Sequence, residues 1–125
     1  MYLRRVRNDE PSPLTADERA LLEALLSHDF PGVMELREQA QHVLAKRGCR
    51  CGCGTIDFAS DGSPVPRSGA VNPAPVEGVV MDRDGEEVGG LILFVGDGLL
   101  ASLEIYSYAP GHLPLPPLEQ VSWRA

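Results

Sequence analysis

The sequence predicts an α+β fold: an N-terminal helical hairpin packed on a four-stranded antiparallel β-meander, a two-layer sandwich. Three observations carry this expectation. Leu91-Ile92-Leu93-Phe94-Val95 is an unbroken apolar run of strand length. Gly96-Asp97-Gly98 follows it as turn chemistry, and 99–106 reads as a second strand, so the pair is expected to form a β-hairpin. Upstream, the apolar residues of 15–47 recur at helical spacing and are divided by Asp29-Phe30-Pro31-Gly32.

Taken in order, 1–13 is expected to be an arm, with an edge strand around 2–6 that Pro11 and Pro13 would end. Thr15-Ala16-Asp17-Glu18 has the spacing of a capping box, in which the threonine hydroxyl and the glutamate carboxylate each bond the other's backbone amide. The helix that follows runs to about His28, with Leu21, Leu22, Leu25 and Leu26 as its buried stripe. A second helix is expected over 33–47, because Val33, Leu36, Ala40, Val43 and Leu44 keep the helical period. Glu35, Arg37, Glu38, Gln41 and Lys46 would form its wet face, and Gly48 would be its left-handed cap.

The sheet is expected over 49–108. Its first strand is best defined at 55–58, and a long Ser/Gly/Pro loop covers 59–75. The next strand is 76–81, then an Asp84-Gly85 turn, then the apolar strand. That strand has no polar position and should lie centrally, covered on both faces. In the last strand Leu99, Ala101, Leu103 and Ile105 alternate with Ser102, Glu104 and Tyr106, so one face should meet water or a partner. Residues 109–125 form a Pro-rich tail that is expected to lie across the surface rather than join the sheet centre. The whole of 1–125 is expected to be a single domain.

Composition narrows the function classes. The chain has 125 residues and is 43% hydrophobic and 23% charged, which suits an ordinary globular protein. No apolar run reaches membrane-helix length, and the basic start lacks an apolar stretch behind it, so the expectation is a cytoplasmic protein without membrane contact. The net charge is −7. Between Pro75 and Pro110 seven acids face Arg83 alone. Such a surface repels a phosphate backbone, which argues against nucleic-acid binding and permits a basic protein partner.

Candidate chemistry centres on Cys49, Cys51 and Cys53. Their alternation would turn all three thiols to one side of a regular strand, where they could form a redox pair or hold zinc or another soft metal. A fourth ligand would have to come from His28, His42, His112 or a carboxylate. Structural zinc sites use pairs spaced C-x2-4-C and no second pair exists here, so small buried thiols are the plainer reading, with no cofactor. Asp82-Arg83-Asp84-Gly85-Glu86-Glu87 fails as a calcium loop, since its first and twelfth ligands would fall at Val80 and Leu91. Pro114-Leu115-Pro116-Pro117 fits a polyproline ligand in form, and a covering tail is the better reading. No nucleophile elbow, phosphate-cradling loop or H-E-x-x-H motif is present, so no catalytic residue is assigned and an enzyme is disfavoured. An enzyme with an unrecognised cleft between sheet and tail remains a third expectation.

The Cys-x-Cys-Gly-Cys-Gly-Thr-Ile-Asp stretch, the Leu-Thr-Ala-Asp-Glu-Arg-Ala-Leu-Leu helix and the Leu-Glu-Ile-Tyr strand together resemble a group of short bacterial α+β proteins of uncharacterised function. The resemblance runs from Leu14 to Leu118 and implies no activity or site residues. A looser likeness of size and charge links the chain to immunity proteins that cap bacterial toxins. The expected function is therefore a non-enzymatic, immunity-like interaction module. It would meet a basic protein partner through Glu77, Glu86, Glu87, Glu104, Tyr106 and Tyr108. The alternative is a thiol-based metal or redox protein on the three cysteines.

Overall fold

The computed structural model describes residues 10–46 and 54–125. Two helices, α1 (Ala16–Leu26) and α2 (Val33–Ala40), precede six strands: β1 (Val43–Lys46), β2 (Ile56–Ser60), β3 (Glu77–Met81), β4 (Glu87–Gly96), β5 (Leu99–Ser107) and β6 (Val121–Arg124). The strands form one antiparallel sheet in the order β1-β2-β5-β4-β3-β6. The α+β class is therefore as expected, but the four-stranded meander gives way to six strands, in which β1-β2 and β3-β4-β5 are the runs of consecutive neighbours.

The capping box at the start of α1 forms as its spacing requires. The Glu18 amide donates to the Thr15 hydroxyl at 3.2 Å and the Thr15 amide donates to the Glu18 carboxylate at 2.9 Å. Leu21, Leu22, Leu25 and Leu26 are buried. The helices then cap each other's C-terminal ends. Arg37 Nε of α2 donates to the Leu26 carbonyl at 2.7 Å, and Arg19 Nη1 of α1 donates to the Ala40 carbonyl at 3.1 Å. Carbonyls that have run out of intrahelical partners thus meet a guanidinium at the negative end of each dipole.

The second helix is shorter than its periodicity suggests. It stops at Ala40, and Val43 and Leu44 belong to β1, which pairs with β2 from Val43↔Ser60 to Lys46↔Asp57. Four apolar-polar positions satisfy a helical and an extended reading equally, and here pairing with a distant strand decides. The expected cap at Gly48 and the edge strand over 2–6 lie outside the described residues. What does lie beside β1 is Ser12, whose amide and carbonyl both bond Ala45, at 2.9 and 2.7 Å.

Strand β4 is central, between β5 and β3. Leu91, Leu93 and Val95 are buried with Leu103, Ile105 and Ile56 under the helices' leucines. Ile92 and Phe94 point the other way and are only half-buried, so the strand is covered on one face and not on two. The hairpin turn is Asp97-Gly98, both with positive φ (52° and 75°), the two-residue geometry that matches strand twist. Beyond it the register breaks: Phe94 pairs with Ser102 but Val95 with Leu100, leaving Ala101 as an extra residue. This bulge reverses the alternation. Leu100 enters the core, and Leu99 and Ala101 do not share the buried face with Leu103 and Ile105 as strict alternation predicts.

The Pro-rich tail also differs from expectation. Its 109–117 portion crosses the helical side, where the Leu113 carbonyl accepts the Gly54 amide at 2.9 Å and Leu113 and Leu115 pack against the core. A Cβ on Gly54 would stand 2.4 Å from the Leu115 amide nitrogen, so the tail passes directly over that glycine. It then joins the sheet as edge strand β6, placing Trp123 opposite Gly78. Past the last proline every residue has an amide to donate, and the objection to strand formation lapses.

One side chain ties these parts together. Gln39 of α2 is 2% exposed. Its Nε2 donates to the carbonyls of Pro66 (2.7 Å) and Gly98 (2.8 Å), and its Oε1 accepts the Leu100 amide at 2.8 Å. The long loop is fastened alongside: the Ser68 amide bonds the Gly98 carbonyl at 2.8 Å, the Ala74 amide the Leu93 carbonyl at 2.9 Å, and the Val95 amide the Asn72 carboxamide at 3.0 Å. Replacing Gln39 by methionine keeps the side-chain length and takes a hydrogen bond from the Pro66 carbonyl, the Leu100 amide and the Gly98 carbonyl, the last of which keeps the Ser68 amide. Gln39→Met is expected to lower the unfolding free energy by about 2–4 kcal/mol. The measurement is a fall in the urea midpoint at unchanged slope. Gln41→Met, at an exposed position, should stay within about 0.5 kcal/mol.

Candidate interaction face

Both helices and the tail lie on the face that carries Leu91, Leu93, Leu103 and Ile105. The other face follows from the registers. Glu77, Ile92 and Glu104 form one cross-strand row, and Val79, Gly90 and Tyr106 form the next. Gly90 is what allows this arrangement. A Cβ there would stand 2.2 Å from the Tyr106 ring, so the ring lies flat over the strand where a larger residue would lift it. Val79, paired with Gly90, is only 4% exposed although its side carries no helix.

Tyr108 is 55% exposed, and its ring centroid lies 6.1 Å from that of Tyr106 at a 49° tilt. Partial burial is the main reason the Tyr106 hydroxyl holds its proton above the usual pH of 10.0, with Tyr108, Glu77 and Glu104 adding to it. The two tyrosines thus share one acidic field. Glu86 and Glu87 stand apart from it. Glu86 closes the β3–β4 turn, where the Asp82 carboxylate accepts its amide at 2.9 Å, and the Glu87 carboxylate is paired with Arg124 at 3.2 Å. That pair is exposed and contributes little to stability. Of the six residues expected to form a partner face, four come together and two lie at the hairpin margin.

Cys49, Cys51 and Cys53 lie outside the described residues. Among the described residues no three His, Cys, Asp or Glu side chains are placed to hold a metal. The histidines occupy separate corners. His28 Nδ1 is 3.1 Å from the Leu25 carbonyl and its ring stands 6.0 Å from Trp123. His42 Nδ1 is 3.5 Å from the Asp61 carboxylate. His112 is exposed and adjoins Leu113, whose carbonyl holds Gly54. No described helix is long and apolar enough to cross a membrane.

Sequence reasoning missed Gln39, although its position three residues after Leu36 on the buried stripe is a readable signal. It also missed a recess of about 150 Å³ beside Gln39, because the walls come from segments remote in sequence. The chain matches no family model, no curated protein and no solved structure.

Tyr106 should titrate above the ordinary tyrosine value of 10.0 when ionisation is followed in the near ultraviolet. Replacing Glu77 and Glu104 together by glutamine should bring it part of the way back toward 10.0, because burial persists. The raised value favours the folded state below the ordinary tyrosine range, and that contribution is lost as pH rises through the folded-state value.

Proposed function

We propose that the protein is a non-enzymatic interaction module whose open sheet face receives a basic protein partner, in the manner of an immunity protein. The observation that supports this most is the grouping of Tyr106 and Tyr108, rings 6.1 Å apart, on the helix-free face that Glu77 and Glu104 also occupy. Tyrosines supply rigid contact area at small entropic loss, and carboxylates beside them steer a cationic surface and pair with its arginines. Half-buried Ile92 and Phe94 extend the patch with apolar area. The acidic excess of 75–110 makes association faster at low salt.

The test is affinity capture with the full chain at low and high salt, followed by reconstitution with the purified candidate. A one-to-one partner of basic character is expected, with affinity falling steeply as salt rises. Glu77→Lys with Glu104→Lys should weaken it at least tenfold, and Tyr108→Ala about as much. A partner insensitive to salt and to both changes would sink the reading.

A second reading, a thiol-based metal or redox protein on Cys49, Cys51 and Cys53, has one observation in its favour. Gly54 directly follows the last cysteine and is bonded to Leu113, next to His112, so the tail histidine is brought toward that end of the strand. Elemental analysis with thiol titration of the purified protein decides it. Bound zinc lost on His112→Ala supports it, whereas three free, slowly reacting thiols without metal dispose of it.

A further inference from the structure

The recess beside Gln39 lies at the Val43↔Ser60 end of the β1–β2 pair. Its walls are Val43 of β1, Phe58 of β2, Val65 of the long loop and Leu99 and Leu100 of β5. At about 150 Å³ it matches the volume at which an apolar cavity accommodates a benzene ring. Gln39 closes the floor, yet its amide is spent on the Pro66, Gly98 and Leu100 backbones, so it offers a visitor little polarity. Polarity enters at His42 and at Ser60, whose hydroxyl accepts the Gly62 amide at 3.0 Å.

His42 is oriented. Its Nδ1 stands 3.5 Å from the Asp61 carboxylate, and Asp61 is itself held twice. The Asp61 amide donates to the His42 carbonyl at 3.0 Å, and the Asp61 carboxylate accepts the Ser63 amide at 2.8 Å. The Ser63 backbone and hydroxyl, followed by His42, keep this carboxyl ionised below its ordinary value of 3.8. A carboxylate 3.5 Å from Nδ1 favours the neutral tautomer with its proton on that nitrogen, which would leave Nε2 to accept from a ligand. A mostly apolar pocket of one-ring size, with the His42 imidazole and the Ser60 hydroxyl as its polar side chains beside the committed Gln39, is suited to an aromatic ring bearing one donor.

We propose that this recess binds a small monocyclic phenol, its ring against Val43, Phe58, Val65 and Leu99 and its hydroxyl donating to His42. The proposal is independent of the partner face, which uses other residues: Glu77, Glu104, Tyr106 and Tyr108.

The experiment titrates the full-length protein, observed by amide and methyl NMR, with phenol and separately with benzene. Saturable shifts at millimolar phenol should centre on Val43, Val65, Leu99 and Leu100. The phenol affinity should exceed that of benzene about fivefold, the effect of one neutral hydrogen bond. His42→Phe should abolish that preference and retain benzene binding. Val65→Phe and Ala59→Leu, the latter at a further lining position, each fill the recess, and each variant that keeps a dispersed spectrum should lose at least tenfold in phenol affinity. Non-saturating shifts scattered over the surface would overturn the proposal. So would equal affinity for the two ligands, a preference that survives His42→Phe, or wild-type phenol binding in either folded filled variant.

Discussion

Two backbone segments far apart in the chain bring three polar groups into the interior: the Pro66 carbonyl of the long loop, and the Gly98 carbonyl and Leu100 amide of the β4–β5 hairpin. The side chain of Gln39 meets all three. Buried amides and carbonyls without partners are among the most destabilising features a fold can contain, because water has been withdrawn and nothing replaces it. A carboxamide offers both donors and acceptors from one planar group, which neither Glu nor Met can do. The position of α2 against the β4–β5 hairpin, and the course of the long loop across the hairpin's end, therefore follow from one residue. The floor of the recess is a by-product of the same arrangement.

The other organising fact is the unequal treatment of the two sheet faces. Leucines from both helices and the tail's Leu113 and Leu115 seal one side. On the other, a tyrosine laid over Gly90 and a buried Val79 give local cover, and glutamates flank them. An acidic, tyrosine-bearing β-surface is a physical basis for recognising a cationic protein.

The elements legible in the sequence are those whose cause is local. Thr15 and Glu18 are three residues apart and cap a helix wherever it packs. Asp97-Gly98 adopts positive φ for reasons internal to the turn. Less was legible where a local signal had two solutions. Val43 and Leu44 fit a helical stripe and a strand alike, and the pairing of β1 with β2 chose between them. The extra Ala101 is invisible in the apolar pattern, yet it exchanges Leu99 for Leu100 in the core. Of the candidate face, Glu77, Glu104, Tyr106 and Tyr108 were readable as strand alternation. The pairing of Glu87 with Arg124 was not, because those residues are joined only through β6.

The sequence by itself determined the first helix, the break at Asp29–Gly32, the central apolar hairpin and the sign of the surface charge, since each rests on side-chain chemistry acting over a few residues. Tertiary structure alone decided the end of α2, the strand order, the edge strand after the prolines and the recess lined by residues as far apart as Gln39 and Leu100. Those outcomes depend on which distant backbone groups can satisfy one another, and hydrophobic periodicity carries no record of that.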